Sequence, residues 1–209
     1  MESFLPFFPL NLVAYPTENL HLHVFEPRYQ QLINECLNEQ RTFGIPAFIN
    51  NKLPGYGTEM KVVTVSKRYD DGRMDIKTRG LRAFRVLTFK NPVPEKLYSG
   101  GKVTFVEETE SPEGVISELL LQLDRLYTIL QTRVDFDSNV YPFSYQVAHK
   151  VGLSQEEEYK VLTIDSESER QRFLLRHLNK VIPVMAEMEK TKERIKLNGH
   201  FKNLDPLNF

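Results

Sequence analysis

A chain of 209 residues with 41% hydrophobic and 26% charged residues buries roughly 70% of its extended surface on folding, which excludes a disordered segment or a disulfide-dependent miniature. Its 27 Lys and Arg balance 28 Asp and Glu to a net charge of −1, so no long-range field draws in phosphate backbones or anionic lipid, although a local basic patch remains compatible. Cys36 is the single cysteine, which excludes an intramolecular disulfide and suits a reducing compartment.

The opening residues Met1 to Tyr15 are apolar, but they carry Glu2, lack a basic leader and meet Pro6, Pro9 and Pro16, unlike a signal peptide. No run approaches the ~18 uncharged apolar residues of a membrane span. The expectation is a soluble cytoplasmic protein with no membrane partner.

In chain order, Leu10 to Ala14 reads as a first strand. His21 to Phe25 reads as a second, with Leu20, Leu22 and Val24 on one side and His21, His23 and Phe25 on the other. Pro27 suits a first helical position, and Tyr29, Leu32, Ile33, Cys36 and Leu37 recur at helical spacing, which predicts a helix and a buried Cys36. Phe43 to Ile49 is a strand interrupted by Pro46, the mark of an edge or a bulge. Residues 50–57 form a loop by composition. Met60 to Tyr69 then leads through the turn Asp70-Asp71-Gly72 into the alternation of Met74, Ile76 and Thr78, the clearest hairpin of the chain. Gly80 interrupts the pattern before Phe84 and Val86 resume it, as at a bulge or bend. Val103 and Phe105 supply the last strand. Six or seven short strands in this length predict a small closed or partly closed β-barrel.

The period changes at Ser111-Pro112. Val115 to Leu130 carries a broad apolar helical face, Pro142 opens a short helix ended by Gly152, and Ser154/Glu157 and Ser166/Glu169 have capping-box spacing. The last helix meets Pro183, which is expected to kink or end it, and Met185, Met188 and Ile195 extend it as a charged, partly exposed arm. The tail with Phe201, Leu204, Leu207 and Phe209 is expected to fold back on the body. The fold class is therefore α+β, with a barrel and one inserted helix over residues 1–110 and a helical subdomain over residues 111–209.

Chemistry is sparse. His21 and His23 share a strand face, yet no further ligand stands near them, so a metal site is disfavoured. There is no His-Glu-x-x-His signature, no phosphate loop and no Gly-x-Ser-x-Gly elbow. Asp70 and Asp71 read as turn residues, His177 as a boundary histidine, and Glu107, Glu108 and Glu110 as a solvated connector. Arg79, Arg82 and Arg85, with Lys67 and Arg68 on the preceding strand and Phe84 among them, form the densest cationic cluster. A continuous basic groove there would favour RNA, whereas paired charges would favour an ordinary solvated sheet face, the preferred reading; nucleic acid is accordingly a disfavoured partner.

Several segments, taken in order, carry a resemblance. They are Phe8-Pro9-Leu10-Asn11-Leu12-Val13-Ala14-Tyr15-Pro16, Leu20 to Tyr29 with its Phe25-Glu26-Pro27-Arg28-Tyr29 run, Gly57-Thr58, Asp71-Gly72-Arg73-Met74 and Gly80-Leu81-Arg82-Ala83-Phe84-Arg85-Val86. Over about residues 5–90 they resemble the N-terminal substrate-binding domain of the Lon protease family; farther on, Ser154 to Leu162 and Ser168-Glu169-Arg170 agree in layout. The resemblance implies a PUA-like β-barrel followed by a helical bundle that recognises unfolded or exposed peptide segments. In full Lon proteases an ATPase and a serine-lysine protease module do the chemistry, and neither has residues here. The chain is thus expected to be a non-enzymatic binding module without cofactor or metal, an adaptor in protein quality control that contacts a protein partner or a separate protease, with an RNA-binding PUA-like protein as the alternative.

The resemblance makes Glu26 and Arg28 candidates to brace the barrel and marks Gly72, Gly80, Arg82 and Phe84 as structural motif residues. Met60-Lys61 departs from the family pattern, as does Pro183. Candidate partner contacts are Phe43, Tyr56 and Tyr69 near the strand ends and Met185, Met188 and Phe201 toward the arm and tail.

Overall fold

The computed structural model describes residues 2–49, 55–109 and 114–200, with side chains of the last helix as far as Lys196. Among these residues the strands are β1 (Glu2–Phe7), β2 (Asn19–Val24), β3 (Phe43–Pro46), β4 (Tyr56–Arg68), β5 (Met74–Val86) and β6 (Ser99–Phe105). The helices are α1 (Pro27–Asn38), α2 (Ile116–Ile129), α3 (Phe143–Ala148), α4 (Gln155–Thr163) and α5 (Glu167–His200). The result is a mixed α+β fold: one six-stranded sheet in the order β2-β5-β4-β3-β1-β6, followed by helices.

The sheet is built around the β4–β5 hairpin. Met74, Ile76 and Thr78 are buried while Lys77 and Arg79 face solvent, as alternation requires. At its tip Gly72 takes φ +86°, and the Asp71 carboxylate accepts from both the backbone N–H and the Nε–H of Arg73. These two positions therefore do turn work. β5 pairs with β4 along nearly all its length, with β2 from Met74 to Arg79, and with β6 through Phe84↔Phe105, Arg85↔Thr104 and Val86↔Val103. At its middle, Glu59 stands opposite Arg82 and Met60 opposite Gly80, leaving Leu81 as the extra residue of a β-bulge.

Three expectations need correction and a fourth is narrowed. The first strand is Glu2–Phe7, paired antiparallel with β6, whereas Leu10 to Ala14 is irregular apart from a bridge between Leu10 and Ala47. β3 is an interior strand, and Pro46 is tolerated because it is the last residue of that strand. Phe43 is fully buried between β4 and α1, so it belongs to the core and is no partner contact. Of the two outcomes expected at Pro183, ending the helix is excluded, since the last helix runs on to His200.

Three apolar clusters hold the fold. α1 lays Tyr29, Leu32, Ile33 and Cys36 against Phe43, Met60, Met74 and Ile76, and burial pushes the Cys36 thiol up to about 11, which leaves it inert. A small cluster joins Leu5, Phe7, Phe84 and Val103. The largest crosses from sheet to helices: Val13, Tyr15, Ala47, Ile49 and Ala83 pack against Leu119, Leu123, Leu126, Val161, Leu174 and Leu178. At some 25 cal/mol per Å² of apolar surface, such a shared core couples the two halves strongly. Ser154 and Glu157 complete their capping box at the start of α4. At the second such pair the Ser166 Oγ accepts from the Glu169 N–H, and the Glu169 carboxylate receives Arg172.

Candidate functional site

The sheet and the helices meet along a cleft beside Pro16 and Thr17, made of two adjoining depressions of about 240 and 220 Å³ that share Pro16, Thr17 and Tyr145. Gly80 shapes one wall. Its N–H donates to the Glu18 carbonyl and its carbonyl accepts from the Thr17 N–H, and its Cα lies so close to the Tyr15 carbonyl that any side chain would collide. This close approach explains the glycine. Thr17 sits at φ 66°, an uncommon and strained state for a β-branched residue. The bulge turns Leu81 outward into the cleft, where it stays 42% exposed, and Tyr141 on the helical side is 63% exposed. Two apolar side chains thus form the lips.

The floor is polar and fixed. Arg170, only 2% exposed in its side chain, donates from Nε to Ser144 Oγ (2.9 Å) and from Nη1 to the Ile164 carbonyl (2.7 Å), and its Nη2 reaches both Glu108 and Glu167. Glu167 in turn accepts from the N–H and the hydroxyl of Ser144 and from the Gln171 amide. The guanidinium lies 4.4 Å above the Tyr145 ring, Tyr145 stacks on Tyr15 at 5.0 Å, and Tyr15 meets the His149 ring at 4.5 Å. A continuous row of planar groups therefore crosses the junction. Burial raises the phenol of Tyr145 to about 12 and that of Tyr15 farther, so both stay neutral.

His149 closes the other end. Its Nδ1 is 2.7 Å from Glu158 and its Nε2 3.4 Å from Glu18, whose carboxylate also accepts from the Tyr15 N–H. Burial works to lower the imidazole, but the hydrogen bonds and charges of Glu18 and Glu158 outweigh it and push the ring up to about 9. It is a charged clasp at neutral pH.

The expected motif residues are distributed. Arg82 lines the cleft, donates to Glu59 at 2.6 Å and lies over the Phe105 ring; Phe84 is core, stacked on Phe7. Glu26 and Arg28 pair with each other at 2.7 Å on the surface, and of this run it is Tyr29 that enters the core, stacked on Phe8 at 3.9 Å. Phe25 is 60% exposed. Tyr56 packs edge-on against Tyr159, and the Tyr69 hydroxyl donates to Asp75 beneath Lys67 and Arg73. Met185 packs partly on the core, Met188 is 57% exposed, and Phe201 lies outside the described residues. Arg170 and His149 carry little local signal for this site: Glu108 stands 62 residues before Arg170, and Glu18 belongs to the N-terminal segment, farther still from His149; the spacing of Glu167 and Arg170 is the local sign.

Among the described residues no three His, Cys, Asp or Glu side chains gather as a metal-ligand group, and no helix is long and apolar enough to cross a membrane. The site offers apolar lips, immobile hydrogen-bonding groups and an accessible trough. The charged groups of its floor and far end, Arg170, Glu167, His149, Glu18 and Glu158, are each engaged by a structural partner.

The geometry has known counterparts. A Lon N-terminal domain protein from Xanthomonas campestris superposes with a TM-score of 0.66 at 25% identity, over 83% of this chain and 98% of that one. The N-terminal domain of the Mycobacterium avium complex Lon protease gives 0.66 at 16% identity, over 85% and 98%, and shares the fold. The LON peptidase N-terminal domain and RING finger protein C14F5.10c of Schizosaccharomyces pombe is 22% identical across 81% of this chain, which spans only 43% of that relative's length. The model of the ATP-dependent protease La (LON) substrate-binding domain matches residues 4–180, nearly the whole described body. That unit is the substrate-binding rather than the catalytic part of such proteases, and the chain belongs to its family.

Proposed function

We propose that this chain is a protein-binding module that takes exposed, extended segments of other proteins into the cleft between sheet and helices, as a cytoplasmic adaptor in protein quality control. It carries no ATPase or protease chemistry of its own and delivers what it holds to a partner or a separate protease. The observation that carries this reading is the bulge that turns Leu81 outward opposite Tyr141, over a floor immobilised by Arg170. Fixed polar groups flanked by apolar contacts suit a ligand whose backbone is held and whose side chains vary. The return of β5 to β6 completes a ring of pairings through β4, β3 and β1, which supports a small PUA-like barrel as the frame of the site.

The test is fluorescence anisotropy with a labelled, reduced and carboxymethylated protein as a permanently unfolded probe. Leu81→Asp combined with Tyr141→Ala should weaken binding at least about fivefold while leaving the melting temperature within about 2 °C, since both side chains are exposed. Binding equal to the natural chain, or no binding by either, would sink the assignment of the cleft.

A further inference from the structure

We propose that the outward face of β2, β5 and β4 is a binding surface for single-stranded nucleic acid. The register sets nine side chains in a grid on this face: Asn19, Arg79 and Lys61 in one row, His21, Lys77 and Thr64 in the next, His23, Asp75 and Lys67 in the third. All nine are solvent-facing, eight of them exposed and Asp75 half-buried. A depression of about 450 Å³ lies across it, between His21, Ser66 and Lys77.

The cationic cluster visible in the sequence divides in the fold. Arg82 leaves for Glu59 and the cleft, and Arg68 turns to Asn34 of α1. In their place Lys61 and Lys77 join Arg79 and Lys67 on one face. Among the described residues Lys61, Lys77 and Arg79 form no ion pair. Arg79 stands directly opposite Lys61, a cross-strand arrangement that costs stability. The one carboxylate in the grid, Asp75, is already taken: His23 and the Tyr69 hydroxyl hold it at 2.6 and 2.9 Å. A net charge of −1 thus conceals a segregated positive face whose internal repulsion an external polyanion would relieve.

The rings decide which polyanion. His21, His23 and Phe25 alternate outward along one strand edge about 6.7 Å apart, the spacing of every second residue in a strand. His23 stacks on Phe25 at 6.1 Å and meets Tyr69 edge-on at 5.9 Å, with Lys67 over the Tyr69 ring at 4.4 Å. An acidic peptide needs only the cations. A row of exposed planar rings running beside a row of unpaired cations matches a strand that offers bases to one and phosphates to the other. The sheet edge also leaves β2 open on its far side, so a flexible strand can lie along it.

The experiment uses the full chain with 5′-fluorescein oligouridylate and oligothymidylate about twenty nucleotides long, followed by anisotropy between about 50 and 200 mM salt. Saturable binding is expected, with log K falling against log salt at a slope of about −2 to −3, as three or four phosphate contacts on a single strand require. Lys77→Glu with Arg79→Glu should lower affinity at least about tenfold and flatten that slope. His21→Ala with Phe25→Ala should lower it about tenfold without changing the slope. Lys61→Glu should weaken binding yet raise the melting temperature, which separates a ligand contact from a structural one. Lys192→Glu on α5, the same charge change elsewhere, should do nothing to binding. Equal affinity for the two oligonucleotides assigns recognition to the phosphates and ring faces they share; preference for one assigns a part to the 2′-hydroxyl or the thymine methyl, in which they differ. The proposal is overturned if neither oligonucleotide binds saturably at the lower salt, if the charge-reversed variant binds like the natural chain, or if polyglutamate binds as tightly and Phe25→Ala leaves all affinities unchanged.

Discussion

Arg170 and His149 both fasten the helices to the sheet beside Tyr145, one at each end of the same cleft, but they do so with different kinds of charge. Arg170 carries a charge that no accessible pH removes, is sealed from water, and spends its donors on Ser144, Ile164, Glu108 and Glu167. His149 keeps 32% of its side chain exposed and holds its proton only because Glu18 and Glu158 flank it. The first clasp fixes geometry. The second contributes stability that depends on pH. A site that must present hydrogen-bonding groups at fixed positions gains from the first kind, while the second keeps the Tyr15 segment, with its strained Thr17, seated against α3 and α4.

The sharpest way to break the comparison is at Arg170. Arg170→Met leaves Glu167 buried without its cation and is expected to destabilise the chain by about 3–5 kcal/mol, read from urea unfolding. Adding Glu108→Gln should recover only a minor part. Glu108 is 31% exposed and water can solvate it, whereas Glu167 at 7% stays stranded. Full recovery by the double variant would show that Glu108, not Glu167, is the partner that matters.

These clasps also mark where a sequence stops being legible. The hairpin at Asp70-Asp71-Gly72, the α1 stripe and the Ser154 capping box depend on residues within one turn or one pair of strands, and they read directly from the pattern. Glu2–Phe7 does not, because its strand character comes from pairing with β6 almost 100 residues away. Phe43 looked like a surface aromatic at a strand end. It is core because β3 is hemmed in by β4 and β1, a fact of topology rather than of the local string. The cationic cluster was visible but wrongly composed: only the cross-strand register shows that Lys61 and Lys77 stand with Arg79 and that Arg82 does not. The cleft was legible through Gly80 alone, and only as a bend.

His149 gives the next effect in size, and its sign follows from which state holds the proton more tightly. In the folded chain the imidazole sits at about 9, above its ordinary 6.5, so the folded state binds the proton better. Its contribution is fully present below pH 6.5 and is lost as the pH rises through about 9. The loss should be on the order of 1–2 kcal/mol once screening at a partly exposed ring is discounted. Urea unfolding between pH 6 and 9.5 should show the decline, and His149→Gln should abolish it. An unchanged slope in that variant would assign the decline to other groups and leave His149 as packing only.

The smallest effect concerns the segment between the clasps. Thr17 holds φ 66°, where its branched side chain crowds the backbone, and it is kept there by hydrogen bonds that link residues 15–18 to Gly80. Asn adopts this region far more readily, so Thr17→Asn should stabilise the chain by about 0.5–1 kcal/mol. If the strain serves only to route the chain, unfolded-protein binding should be unchanged in this variant. If it shapes the cleft, the variant should be more stable and bind less well, because relaxation at Thr17 moves the wall that faces Leu81 and Tyr141. Melting temperature and anisotropy measured on the same sample separate the two.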